Sequence, residues 1–202
     1  MEITIPHSKL IEALELISRI STKHATLPVL QCVHLTVEEG RILLQATNLE
    51  ITCELSIEGQ ITESGSVAVP AQIFLQSIQF INQKNITLRT EEQVLQIETE
   101  HTNTSIKTFA VDEFPKLHKL EGDGVVLNRA SFAHGIKSVA FAASQTSIKP
   151  ELGSVFIRQN KEHSLTFVAT DSFRLMEKTV SQKGVVFEQS IMVPQKNALE
   201  LA

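Results

Sequence analysis

Asp171 and Arg174 are the first two side chains in this sequence whose types and spacing could do chemistry. They sit three residues apart in Phe167-Val168-Ala169-Thr170-Asp171-Ser172-Phe173-Arg174-Leu175. A carboxylate beside a guanidinium could serve acid-base catalysis. The simpler reading is structural: a turn whose carboxylate accepts backbone N–H groups while the arginine packs or pairs beside it. Nothing else favours catalysis, since the sequence has no glycine-rich phosphate cradle, no His-Glu-x-x-His zinc helix and no nucleophile elbow. The histidines, His7, His24, His34, His101, His118, His134 and His163, are scattered and form no ligand set with Asp or Glu. Cys32 and Cys53 lie in apolar surroundings without metal-like spacing and are expected to be reduced structural thiols. No cofactor, metal or catalytic residue is expected.

Most of the elements that would hold such residues can be read from periodicity. Glu2 to Ile5 alternates as a strand, and Pro6-His7-Ser8 ends it and offers Ser8 as a helix cap. Leu10, Leu14 and Ile17, with Ile11 and Leu16 beside them, recur at helical spacing. After a polar segment, Leu27-Pro28-Val29-Leu30 is expected to leave in extended form. Val33 to Val37, Ile42 to Ala46 and Ile51 to Ile57 read as a meander turning at Glu38-Glu39-Gly40. Val67-Ala68-Val69-Pro70 leads into a second helix from Gln72 to Ile81. Strand candidates follow at Asn85 to Arg89, Val94 to Thr99, Thr104 to Thr108 and Phe109 to Val111, and Phe114-Pro115 looks like an apolar anchor closing a linker.

The chain then starts over. Val125-Val126-Leu127-Asn128 leads into a helix carrying Phe132, Ile136, Val139 and Ala140, as Ile3-Thr4-Ile5-Pro6 leads into the first, at an offset of 122. Leu43-Leu44-Gln45-Ala46-Thr47-Asn48 returns in the Asp171 stretch at an offset of 123. Ser66-Val67-Ala68-Val69-Pro70 returns as Ser190-Ile191-Met192-Val193-Pro194 at 124. Three landmarks in one order imply tandem α+β units, 1–122 and 123–202, divided near Gly122. The second has no counterpart of residues 79–121, about four strands, so a longer natural product or an excised fragment is expected.

Composition narrows the class further. With 202 residues and 42% hydrophobic content the chain can bury substantial cores. Neither a membrane-length apolar stretch nor a signal-peptide pattern is present, which points to the cytoplasm and away from membranes. The net charge of -5 and the absence of Trp and Tyr disfavour an overall basic, base-stacking nucleic-acid binder. The charge is nevertheless divided. The helical segments 8–24, 71–84 and 129–149 carry +5, from seven basic and two acidic residues, and the remainder carries -10. Basic helices on an acidic protein suit a surface facing a polyanion, because that attraction is local.

Thr26-Leu27-Pro28-Val29-Leu30, Ala46-Thr47-Asn48-Leu49-Glu50, Val69-Pro70-Ala71, Asp112-Glu113-Phe114-Pro115, the block from Val168 to Leu175 and Val193-Pro194 together resemble, in order and spacing, the bacterial DNA polymerase III beta subunit family of replicative sliding clamps. The resemblance covers essentially the whole chain as a first domain and about two-thirds of a second. It implies a ring of two head-to-tail subunits with three domains each, helices lining the hole and antiparallel sheets outside. The activity implied is noncatalytic: encircling duplex DNA without sequence preference and tethering the polymerase for processivity at the replication fork or nucleoid. Arg19, Lys23, His24, Gln72, Lys137 and Lys149 match DNA-facing positions, His24 and Gln72 standing where the family commonly has arginine. Leu152, Thr170, Ser172, Phe173, Arg174 and Leu175 match one wall of a pocket for short linear motifs of polymerase, clamp loader and repair proteins. There Ser172-Phe173 replaces the usual Gly-His. Ile73, Ser77, Ile81, Thr104 and Ile106 match the subunit interface. Without a third domain the full ring is not expected to close, and the alternative reading is a truncated adaptor that binds partners without encircling DNA.

Overall fold

The computed structural model describes residues 1–21, 27–116, 125–145, 149–160, 163–182 and 190–202, which fall into two compact units, Met1–His118 and Lys119–Ala202. The expected boundary near Gly122 lies outside the described residues.

Unit 1 opens with strand β1 (Glu2–Pro6) and helix α1 (His7–Ile17), whose Leu10, Ala13, Leu14 and Ile17 are buried along one stripe. Ser8 does not cap this helix. Pro6 occupies the cap position, no side chain closes it, and Ser8 sits exposed in the first turn. The extended exit expected at Leu27 to Leu30 is instead largely a single 3-10 turn, Pro28–Gln31, with the proline's fixed φ starting the turn and Leu30 N donating to Leu27 O.

Strands β2 (Cys32–Glu38), β3 (Arg41–Thr47) and β4 (Thr52–Ile57) form the expected meander. A short strand that the sequence did not resolve, β5 (Gln60–Glu63), precedes β6 (Gly65–Pro70) and helix α2 (Ala71–Gln79). Then come β7 (Asn85–Glu91), β8 (Val94–Glu98) and β9 (Asn103–Lys107). Phe109 to Val111 is not a fourth strand. Phe109 makes one bridge to Ala68, and Val111–Glu113 then forms a 3-10 turn.

The two sheets run in the orders β5-β1-β7-β8-β9 and β4-β3-β2-β6. Their apolar faces share one core with the buried stripes of α1 and α2, including Ile3, Ile5, Leu10, Leu35, Leu44, Phe74 and Ile97. Each fully buried side chain of this size contributes about 1.5–3 kcal/mol relative to exposure, so this shared core dominates the stability of the unit.

Unit 2 contains helix α3 (Arg129–Val139), strands β10 (Ser154–Asn160), β11 (Ser164–Thr170), β12 (Leu175–Ser181) and β13 (Ile191–Pro194), and helix α4 (Gln195–Leu201). Asn128 caps α3 by accepting the N–H of Ser131 at 3.0 Å. The sheet order β12-β11-β10-β13 repeats β4-β3-β2-β6 strand for strand. The sequence repeat is thus a repeat of topology.

The two copies fill their cores differently. On α3, Gly135 stands where α1 has Ala13, and on β11, Phe167 stands where β3 has Leu44. A Cβ at position 135 would lie 2.4 Å from Phe167 Cε2. Phe132 closes the other side, edge-on to Phe167 with 5.5 Å between ring centroids.

Candidate functional site

The turn from Thr170 to Arg174, joining β11 to β12, is held by its own side chains. Thr170 Oγ1 donates to Arg174 O at 2.8 Å and accepts from Ser172 N at 3.1 Å. Asp171 Oδ1 accepts the N–H groups of Phe173 (3.0 Å) and Arg174 (2.9 Å). Asp171 N donates to Arg174 O at 3.3 Å. These bonds place Ser172 at φ 77°, a left-handed conformation that glycine adopts without a Cβ penalty. Asp171 therefore acts as a turn-former, and its expected structural role holds.

The first unit builds the same turn atom for atom. Thr47 Oγ1 donates to Ile51 O at 2.9 Å and accepts from Leu49 N at 3.1 Å. Asn48 Oδ1 accepts from Glu50 N (3.0 Å) and Ile51 N (2.9 Å), and Leu49 sits at φ 73°. What differs is the second oxygen of Asp171, which takes Arg174 Nε at 3.0 Å. Arg174 Nη2 donates to Phe141 O at 2.8 Å, and the guanidinium carbon lies 5.8 Å from the centroid of the Phe141 ring. The arginine thereby fastens the turn to the 3-10 turn after α3 (Ala140–Ala142). Phe141 carried no motif and was not singled out from the sequence.

The Asp171 carboxyl is held below its ordinary range, first by the Arg174 N–H and then by the Phe173 N–H and the Arg174 guanidinium, with partial desolvation opposing them. The sign follows from that depression. The turn's electrostatic support is complete above the ordinary value of 3.8 and is lost as pH falls below it, through the folded-state value. In an NMR titration, the Phe173 and Arg174 amide resonances should shift together with a common midpoint below 3.8. Asp171→Asn should abolish that step.

Phe173 projects from this braced turn, 99% exposed, and Leu175, 63% exposed, follows it. Phe141 and Met176 are exposed as well. Leu152, the remaining residue matched to a pocket wall, is half-buried, and its carbonyl accepts Ser144 N at 2.8 Å. A preorganised backbone that presents large apolar side chains beside a guanidinium can dock an extended apolar segment without ordering itself first.

The positions matched to DNA are distributed over both units. Arg19, just after α1, Gln72 in the first turn of α2, Lys137 in the last turn of α3 and Lys149 are all exposed. Lys23 and His24 lie outside the described residues. Of the interface positions, Ile73 is exposed on α2, and Ser77 turns its hydroxyl back to Ile73 O at 2.8 Å. Ile81 packs partly buried against the core. Thr104 and Ile106 belong to β9, an edge strand with open backbone groups, but Ile106 points into the core at 4% exposure. Phe80, 87% exposed beside Ile81, is an apolar surface group that the sequence reading passed over.

Other chemistry is scarce. Burial, with a contribution from Glu113, pushes the Cys32 thiol up to about 12, and burial raises Cys53 as well, so neither is primed as a nucleophile. Among the described residues no cluster of three or more His, Cys, Asp or Glu could hold a metal, and no helix is long and apolar enough to cross a membrane.

Tandem α+β units that share a strand order and a side-chain-locked turn define a tandem-repeat protein. Residues 1–118 match the family model for the DNA polymerase III beta subunit, N-terminal domain, and residues 126–202 match that for the central domain. The beta sliding clamp of Vibrio cholerae is 30% identical over 206 residues, covering 100% of this chain and 56% of that protein. Two solved structures superpose over 100% of this chain and 55% of theirs. They are the DNA polymerase III subunit beta from Pseudomonas aeruginosa, at 26% identity and a TM-score of 0.90, and a putative beta subunit from Eubacterium rectale, at 20% identity and 0.93. The chain belongs to the DNA polymerase III beta subunit family. It spans little more than half the length of the relatives it matches.

Proposed function

We propose that this chain supplies the first domain and most of the second domain of a noncatalytic sliding clamp. In this reading the clamp encircles duplex DNA and tethers a replicative polymerase in the cytoplasm. The observation that carries the reading is the family match over both units, and the side-chain-braced turn from Thr170 to Arg174 supports it. DNA contact would run through phosphate attraction to Arg19, Lys23, His24, Gln72, Lys137 and Lys149, which fixes no sequence and so permits sliding. Docking of polymerase, clamp loader and repair proteins would use the wall formed by Leu152, Thr170, Ser172, Phe173, Arg174 and Leu175. A few apolar anchors would contribute most of the affinity. Ile73, Ser77, Ile81 and the β9 edge with Thr104 and Ile106 would meet a second subunit in a full-length homodimeric ring.

Residues 1–118 and 126–202 match the N-terminal and central domains, and in this reading they supply one wall of the pocket. The expected result is that a fluorescent clamp-motif peptide binds residues 1–202 at least about tenfold more weakly than it binds a full-length beta clamp, because one wall offers fewer apolar anchors than two. Equal affinities in parallel titrations would overturn the reconstruction.

A further inference from the structure

The terminal strands of the two matching sheets differ at one core-facing position. β4 and β12 end the orders β4-β3-β2-β6 and β12-β11-β10-β13, so each leaves a row of backbone groups without a sheet partner. On β4 the side chains directed at the core are Cys53, Leu55 and Ile57, opposite buried Ala46, Leu44 and Ile42. On β12 the corresponding row is Met176, Lys178 and Val180, opposite buried Ala169, Phe167 and Leu165. A lysine thus stands where the first unit has a leucine.

Lys178 is half-buried, and among the described residues its ammonium makes no hydrogen bond or ion pair. Helix α3, packed over β12, has no acidic residue to offer it; Arg129, His134 and Lys137 are the ionisable groups of that helix. Glu177, next in sequence, lies on the other face of the strand, opposite Val168. A strand pairing with β12 would satisfy the open backbone row and cover exposed Met176, but it would also strip water from the ammonium. An all-apolar partner leaves that charge desolvated and alone, which is unfavourable. A carboxylate set opposite it instead forms a charge-assisted hydrogen bond. Duplex DNA can meet the ammonium but uses neither the backbone row nor Met176.

We propose that the open edge of β12 docks an extended segment of a partner protein whose core-side residues are apolar except for one carboxylate set against Lys178. Main-chain pairing supplies the general affinity, and the lysine selects the acidic strand and rejects all-apolar ones. A second copy of this chain fits poorly. Its β12 brings another lysine, its terminal strands β6, β9 and β13 carry no acidic residue, and the core-facing row of β4 is Cys53, Leu55 and Ile57. On β5, Glu63 already faces the Met1 amino group at 3.7 Å. The proposal rests on the β12 edge alone and not on the clamp reading.

The test is an NMR titration of the isotope-labelled chain with two short peptides of alternating Thr and Val, one with a single Val replaced by Glu and the other with the same Val replaced by Gln. Amide shifts should centre on β12, and the Glu peptide should bind roughly five to ten times more tightly than the Gln peptide. In Lys178→Met that difference should vanish while the Gln peptide still binds. Equal affinities in the wild type, shifts centred elsewhere, or a preference that survives in Lys178→Met would sink the proposal. So would a Lys178→Met chain that self-associates in sedimentation while neither peptide binds the wild type, since the lysine would then only guard the edge. The wild-type comparison decides the matter by itself if the variant fails to fold.

Discussion

Gly135→Ala should destabilise unit 2 by about 1–3 kcal/mol, the usual cost of forcing extra volume into a packed core. Alanine is the better helix former by up to about 1 kcal/mol, and that gain opposes the steric cost. The steric term should win. The new Cβ would meet three atoms of the Phe167 ring at 2.4 to 2.8 Å. That ring is fully buried, with Phe132 set against it. Retreat of the ring is therefore blocked by the core itself. Phe167→Leu alone should also destabilise by about 1–3 kcal/mol through the cavity it leaves.

The double variant Gly135→Ala with Phe167→Leu recreates the Ala13 and Leu44 pairing of unit 1. It should be more stable than the sum of the two single losses by about 1 kcal/mol or more, the coupling expected of residues in direct contact. Urea unfolding of all four proteins, monitored by a probe within unit 2, measures this. Strict additivity would mean that the two positions do not compensate, and that the repeats fill their cores independently.

Much of the fold was legible because each repeat uses simple periods. The stripe Leu10, Leu14 and Ile17 and the alternation in β2 and β3 report burial on one face, and the three offsets report the tandem organisation. Reading failed where apolar residues serve some other surface. Phe109 to Val111 carries the apolar pattern of a strand, but its residues lead a strap across the outer face of the sheet. Strand β5 was not resolved because Gln60–Glu63 contains one apolar residue, Ile61, among polar neighbours. At the candidate site, Asp171 and Arg174 were visible as residue types. The partner that braces them, the Phe141 carbonyl, is a backbone atom 33 positions away, and no side-chain pattern announces it. The cover over His34 was hidden for a related reason: a histidine in a strand looks unremarkable until the Phe114 ring beside it is placed.

Asp171→Ala should weaken docking of a clamp-motif peptide roughly tenfold to a hundredfold, because one substitution removes the acceptor of two backbone N–H groups and the arginine's partner together. Asp171→Asn separates those contributions. Unit 1 already shows that an asparagine keeps both backbone hydrogen bonds of this turn, through Asn48 Oδ1. The Asn variant should therefore retain the turn, lose only the pairing to Arg174 Nε, and weaken peptide binding by a few-fold. Arg174→Ala should resemble Asp171→Asn more than Asp171→Ala, since it leaves the carboxylate to hold the Phe173 N–H. Fluorescence titrations of the three variants against one labelled peptide decide the order. If Asp171→Ala binds as well as wild type, Phe173 and Leu175 do not need a rigid turn to receive the peptide. If Arg174→Ala proves the most damaging, the guanidinium itself contacts the ligand, and its bond to Phe141 is secondary.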